Sequence, residues 1–141
     1  MLSELNTIPE GLLELSATEL HQCLGGPTLI HLPGRNPEPL FVSVLLHGNE
    51  DTGWEAVRQL LSKYQGRELP RALSLFIGNI SAAKGGARRL DGQLDYNRIW
   101  KGDGGAEQQM AQQIIETMRQ RKVFASIDIQ DRKSTRLNSS H

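Results

Sequence analysis

The feature that most constrains the fold of this 141-residue chain is a nearly continuous apolar run over residues 40–46. A run of that length, rich in branched aliphatic side chains, suits a central β-strand buried on both faces. Similar runs predict a second buried strand over residues 72–79 and a third over residues 123–129. Residues 28–32 predict a further strand, so a sheet should form the centre of the domain.

Two amphipathic helices alternate with the predicted strands. The first follows Asp51 or Thr52 as N-cap and carries apolar side chains at helical spacing, namely Trp54, Val57, Leu60, Leu61 and Tyr64. The second covers residues 106–121, with an apolar stripe of Met110, Ala111, Ile114, Ile115 and Met118. Alternation of this kind predicts a three-layer α/β/α fold with a mixed, largely parallel central sheet.

Glycine, proline and short polar residues mark the connections. Ser16 or Thr18 is expected to cap a further helix, which stops before the Gly-Gly-Pro sequence at residues 25–27. Residues 33–37 predict a turn, and the polar, glycine-rich residues 81–101 predict mostly loop. No internal repeat or linker in the sequence indicates a second domain.

Composition excludes several classes of partner. Basic and acidic residues number 16 each, so the formal net charge of zero gives no electrostatic signature of binding to nucleic acid or to a membrane surface. No apolar run is long enough to span a bilayer, and the first residues lack a secretory signal pattern. The single cysteine, Cys23, cannot form an internal disulfide, which fits a reducing cytoplasm.

Polar residues follow the three buried strands at their ends. His47, in the motif H-G-N-E, comes just after the first strand, Asn79 ends the second, and Gln130 follows the third. Ligand sites in open α/β sheets lie outside the carboxyl ends of strands. His47 and Glu50 could hold one zinc ion from a single turn, since hydrolytic zinc sites combine histidine and carboxylate ligands. An isolated H-x-x-E pair also occurs by chance, and a single histidine beside a strand end is usually an ordinary surface residue.

A second polar cluster, over residues 88–98, is rich in arginine. It contains Arg88, Arg89 and the run D-Y-N-R, which ends at Asn97 and Arg98. A planar guanidinium group binds carboxylates through paired hydrogen bonds, and an asparagine adds a donor and an acceptor. Taken alone, the cluster is most simply a solvated basic loop that binds nothing, and a carboxylate-binding site is the alternative.

These motifs resemble a known family when they are taken in order. H-G-N-E, N-x-x-A from Asn79, the arginine pair, D-Y-N-R and S-I-D-I follow one another along the chain. The set resembles the zinc carboxypeptidase superfamily, most closely its succinylglutamate desuccinylase/aspartoacylase branch, over roughly residues 41–130. The resemblance implies a Zn²⁺-dependent hydrolase that cleaves an amide bond of a small-molecule N-acyl amino acid or a small peptide.

The resemblance also implies roles for individual residues. His47 and Glu50 resemble the first two zinc ligands. Asn97 and Arg98 resemble the substrate-binding pair, in which the arginine meets a substrate carboxylate. Arg88 resembles the arginine that polarises the scissile carbonyl, although its neighbour in the arginine pair could fill that role instead. Zinc in such a site lowers the pKa of water and acts as a Lewis acid.

The chain departs from the family pattern at the third strand end. Asp128 and Ile129 are followed by Gln130, where the family has the histidine that is its last zinc ligand. Residues 131–141 match, codon by codon, a common short-read sequencing adapter, and a native codon beginning with CA would become the glutamine codon CAA at the join. We therefore expect residues 1–130 to be the amino-terminal part of the catalytic domain, truncated at its carboxyl end, and residues 131–141 to be a non-native tail.

The sequence leaves three functional hypotheses. The first is an inactive fragment of a zinc-dependent hydrolase. The second is a non-catalytic, carboxylate-binding pseudoenzyme that uses Arg88, Asn97 and Arg98 without metal. The third is a structural α/β domain whose motifs arise by chance.

Overall fold

A computed structural model of the chain describes residues 2–86, 106–129 and 135–138. For residues 106–107 and 135–138 it describes the backbone only. Its strands are β1 Ser3–Leu5, β2 Thr28–Leu32, β3 Gly34–Val44, β4 Leu69–Ile77, β5 Ala125–Ile129 and β6 Thr135–Asn138. Its α-helices are α1 Thr52–Lys63, α2 Ile80–Lys84 and α3 Ala106–Arg121. Two 3₁₀ helices, Leu12–Glu14 and Ala17–Gln22, precede β2.

The described strands form one six-stranded sheet in the order β1-β2-β4-β3-β5-β6. β3 lies between β4 and β5 and runs parallel to both, and β1 runs parallel to β2. The pairings of β2 with β4 and of β5 with β6 are antiparallel. The predicted mixed, largely parallel sheet is therefore confirmed.

Helices cover both faces of the sheet, which confirms the predicted three layers. On one face, the side chains of β3 and β4 pack against α1, α2 and the two 3₁₀ helices through residues such as Val42, Leu75, Trp54 and Leu20. On the other face, a second cluster joins the sheet to α3 and consists of Leu29, Phe41, Leu46, Phe76, Met110, Ala111 and Ile114. We call these the α1 face and the α3 face.

The amino-terminal segment is tied to the domain by two partly buried polar contacts. The indole N–H of Trp54, a fully buried residue of α1, donates to the carbonyl of Leu15 at 2.8 Å. His31 on β2 lies 2.9 Å from the Ser74 hydroxyl on β4 and 3.0 Å from a carboxylate oxygen of Glu4 on β1. Three strands are therefore linked on the α3 face by one imidazole.

One local prediction was wrong, and two need refinement. Residues 33–37 are not a free turn, because β3 begins at Gly34 and pairs with β4, with a register shift between Asn36 and Leu40. The segment predicted to be mostly loop, residues 81–101, begins with the short helix α2 at Ile80–Lys84, and residues 87–105 lie outside the described chain. Leu60 keeps helical spacing yet is 49% exposed, because the buried stripe of α1 is narrower than the sequence predicts.

The other local predictions hold at the level of elements. Ser16 is the N-cap of the predicted helix, which is 3₁₀ in form, and its backbone N–H donates to the Glu19 carboxylate at 2.9 Å. α3 has the predicted bounds and buries Met110, Ala111 and Ile114. Among the helices that the structure describes, none is both long and apolar enough to cross a bilayer.

Candidate active site

The candidate site lies where the chain reverses its direction of travel across the sheet. β3 connects to its neighbour β4 through α1, which packs on one face of the sheet. The chain then connects β4 to β5, which lies on the other side of β3, by a segment that contains α3 on the opposite face. A strand whose two successors lie on opposite sides of it marks a topological switch point, and open α/β sheets form their ligand crevice at such a point, outside the carboxyl ends of the strands. His47 and Glu50, which follow β3, and Ile129, which ends β5, lie at this place, which we call the crevice.

The H-G-N-E motif forms a tight turn directly beyond β3. The Glu50 N–H donates to the His47 carbonyl at 3.1 Å, which closes the turn and brings the two side chains together. His47 Nδ1 lies 3.2 Å from Glu50 Oε2, and the side chains are only 7% and 12% exposed. The structure therefore brings together two of the predicted site residues, from one short segment, at the switch point.

The geometry of this pair fits two ligands of a metal ion. Zinc bonds of about 2.0–2.1 Å in a tetrahedral arrangement place two ligand atoms about 3.3 Å apart, close to the observed separation. The second carboxylate oxygen of Glu50, Oε1, is buried and has no hydrogen-bond partner among the described residues. A buried carboxylate oxygen left without a partner is costly unless a further charged or polar group meets it. A cation held between His47 and Glu50 would remove that cost.

The described residues do not complete a ligand set. They contain no group of three histidine, cysteine, aspartate or glutamate side chains arranged to hold a metal. The predicted third position, Gln130, lies outside the described chain, as do Arg88, Asn97 and Arg98. The His47 and Glu50 pair fits two zinc ligands, whereas a glutamine amide is neutral and does not belong to the usual zinc donor set.

The end of β5 nevertheless lies against the helix that follows the motif. A Cβ built on Gly53, near the start of α1, would be 3.0 Å from Cβ and Cγ2 of Ile129 and 3.2 Å from its carbonyl oxygen. Ile129 immediately precedes position 130, and Gly53 follows Glu50 by three residues. The backbone thus brings the end of β5 to the same part of the crevice as the H-G-N-E turn.

Two polar contacts at this edge were not predicted from the sequence. Asn79 is buried and caps α2, with its side-chain oxygen accepting from the Ala82 N–H at 3.3 Å. The Ser43 hydroxyl of β3 donates to Asp128 of β5 at 3.1 Å. The N-cap preference of asparagine could have predicted the first contact. The second depends on strand pairing between distant segments, which no local pattern in the sequence encodes.

Comparison with known proteins agrees with this geometry. Residues 38–130 match the family model described as the succinylglutamate desuccinylase/aspartoacylase catalytic domain. The match begins inside β3 and ends one residue after β5, so it contains the whole switch point. The class of protein is therefore a hydrolase-like α/β domain. The chain belongs to the succinylglutamate desuccinylase/aspartoacylase family, which confirms the resemblance seen in its motifs. No curated protein and no solved structure matches the chain significantly.

Proposed function

We propose that this chain carries the zinc-binding part of a hydrolase that cleaves an amide bond of an N-acyl amino acid or small peptide. The observation that carries the proposal is the buried His47–Glu50 pair at the switch point, with one carboxylate oxygen that lacks a partner among the described residues. Family membership supports the hydrolase class. The zinc ion and the N-acyl substrate are inferred from the chemistry of the residues and from the resemblance.

His47 and Glu50 would hold the metal in this proposal. When bound, zinc supplies a Lewis acid that polarises a carbonyl and lowers the pKa of water. The 3.2 Å separation of His47 Nδ1 from Glu50 Oε2 already matches that of paired ligands, so little reorganisation is needed on binding. The low exposure of both side chains keeps competing water away and strengthens electrostatic interactions.

Arg88, Asn97 and Arg98 would act on the substrate. A guanidinium group from Arg88 would stabilise negative charge that develops on the scissile carbonyl oxygen. Arg98, with Asn97 beside it, would bind a substrate carboxylate through paired hydrogen bonds, which selects substrates with a free acid group. These roles follow from the resemblance and from side-chain chemistry.

We further propose that the 141-residue chain does not itself catalyse the reaction. Gln130 stands at the position of the third ligand, and its neutral amide is a poor substitute for imidazole. Residues 131–141 are proposed to be a non-native tail, with Gln130 created at the join. A cytoplasmic location is proposed on the single cysteine, Cys23, which is a free thiol.

Zinc titration of the chain and of its Gln130→His variant tests the proposal. The variant should bind Zn²⁺ on the order of 100-fold more tightly than the parent, because a third ligand completes the donor set. Adding His47→Ala to that variant should abolish the gain, which shows that the metal lies in this crevice. Equal affinities of parent and Gln130→His would refute the ligand assignment.

Carboxylate binding without metal is the second candidate function, and Gln130 is the observation that favours it. In that case the parent chain should bind an N-acetyl amino acid in the presence of a chelator, and Arg98→Ala should weaken binding. If binding instead requires Zn²⁺ and the Gln130→His substitution, the hydrolase hypothesis is favoured.

A further inference from the structure

Leu45, two residues before His47, has an unusual backbone conformation. Its φ is 60°, in the left-handed region, and its side chain is completely buried. Residues other than glycine seldom adopt this conformation, because Cβ crowds the backbone. Such a conformation persists only where the surrounding structure enforces it, and it often occurs beside functional sites.

The left-handed residue exchanges the two faces of the strand. Along β3, Phe41 faces α3, whereas Val42 and Val44 face α1, as the pleat of a strand requires. Regular alternation would place Leu45 on the α3 face, yet it packs with Val44 on the α1 face. Leu46 then packs on the α3 face with Phe41. The reversal at Leu45 therefore determines the direction in which the H-G-N-E turn leaves the sheet.

Two hydrogen bonds from the residues that follow β4 hold this reversal in place. The Gly78 N–H donates to the Val44 carbonyl at 3.1 Å, which extends the pairing of β3 with β4 past the strand end. The Asn79 N–H donates to the Leu45 carbonyl at 2.7 Å. Asn79 is itself fixed as the N-cap of α2. The backbone of Leu45 is therefore anchored to a helix start through one short hydrogen bond.

We infer that Leu45 is a positioning residue for the metal site: its left-handed backbone, held by the Asn79 amide, orients His47 and Glu50 toward the crevice. The inference rests on the proposed function in treating His47 and Glu50 as ligands. Its geometric content, that the conformation of residue 45 fixes the H-G-N-E turn, does not depend on any metal.

A pair of substitutions at Leu45 tests the inference in the Gln130→His background. Leu45→Ile keeps the number of carbon atoms but branches at Cβ, which strongly disfavours the left-handed region. Leu45→Met has a similar volume without that branch, so it is the matched control. We expect Leu45→Ile to lower Zn²⁺ affinity at least tenfold and Leu45→Met to change it by less than threefold.

Amide exchange without metal provides a second measurement. Exchange at the Glu50 amide, which closes the turn, and at the Asn79 amide, which holds Leu45, should accelerate at least tenfold in Leu45→Ile relative to core amides of β4. Leu45→Met should leave both amides protected. Similar affinities and similar exchange in the two variants would overturn the inference. If the Gln130→His parent shows no zinc binding, the proposed function fails, and the exchange comparison still decides the role of Leu45.

Leu45→Gly covers the case in which Leu45→Ile does not fold. Glycine adopts the left-handed region without strain but removes a buried side chain. The folded variant should therefore melt at a lower temperature yet keep Zn²⁺ affinity within about threefold. If Leu45→Gly folds and still loses its affinity, the side chain and not the backbone conformation is what matters, and the inference is wrong.

Discussion

Gly53 near the start of α1 lies directly against Ile129, the last residue of β5. A Cβ on Gly53 would approach the Ile129 side chain to 3.0 Å and its carbonyl oxygen to 3.2 Å. Such separations are shorter than ordinary van der Waals contact, so either the helix or the strand end would have to move. The absence of a side chain at Gly53 therefore sets how closely the H-G-N-E turn and the end of β5 approach each other.

We expect Gly53→Ala to lower the free energy of unfolding by about 1–2 kcal/mol, although alanine is the better helix former. Gly85→Ala is the matched control, because Gly85 has an ordinary negative φ and open space around it. The control should change stability by less than about 0.5 kcal/mol. Chemical denaturation measures both, and a Gly53→Ala protein as stable as the parent would show that the contact is not tight.

His31 is expected to make stability depend on pH. Burial lowers the pKa of His31 below its usual 6.5, and the positive charge of Arg121 on α3 lowers it further. The hydrogen bond to Glu4 raises this pKa but does not outweigh the effect of burial. The ring is therefore mainly neutral at pH 7, with Nε2–H donating to Glu4 and Nδ1 accepting from the Ser74 hydroxyl. Protonation would remove the acceptor that the buried Ser74 uses.

Because the pKa of His31 is lower in the folded state, the unfolded chain binds more protons than the folded chain at pH values between the folded-state pKa and 6.5. The His31 contribution is thus fully present above pH 6.5 and is lost as the pH falls through the folded pKa. Denaturation at several pH values should show this loss in the parent and a smaller one in His31→Gln. His21→Gln, at an exposed position, is the control and should retain the parent slope. Identical slopes in parent and His31→Gln would contradict the prediction.

Trp54 should be the most sensitive position of α1. Its side chain is fully buried, and its indole N–H satisfies the Leu15 carbonyl at 2.8 Å. Trp54→Phe removes both the donor and part of the volume, so we expect a loss of about 2–3 kcal/mol in unfolding free energy. Leu60→Ala on the same helix should cost about 0.5 kcal/mol or less, because Leu60 is half exposed. Equal losses in urea denaturation would show that burial on α1 does not determine stability.

Apolar periodicity was sufficient to predict β2, the carboxyl half of β3, β4, β5, α1, α3 and the position of H-G-N-E at a strand end, but it did not predict the short strands β1 and β6. It failed at β3, where Gly34, Pro37 and Pro39 favour a turn locally, but pairing of Gly34 with Leu69 and of Asn36 with Arg71 extends the strand. A pattern of neighbouring residues cannot predict pairing with a strand that lies 35 residues further along the chain. The short helix α2 could have been predicted, because Asn79 is a favourable N-cap.

The sequence also predicted that His47 and Glu50 lie together, because they are three residues apart with a glycine between them. The backbone of Leu45 was not predictable, since leucine rarely adopts a left-handed conformation and residues 40–46 look like an uninterrupted strand. The close approach of Gly53 to Ile129 was not predictable either, because it depends on how α1 packs across the sheet.

The hydrogen bond between Ser43 and Asp128 joins residues that are 85 positions apart. Parallel pairing of such distant segments has a large loop-closure cost and forms slowly. The crevice is therefore complete only when β5 is docked on β3, and we expect this docking to be a slow step of folding. An ion bound only by the finished crevice would stabilise it by mass action, by about 2.7 kcal/mol at a hundredfold excess over Kd. Release of the bound ion on heating would then report the separation of β5 from β3.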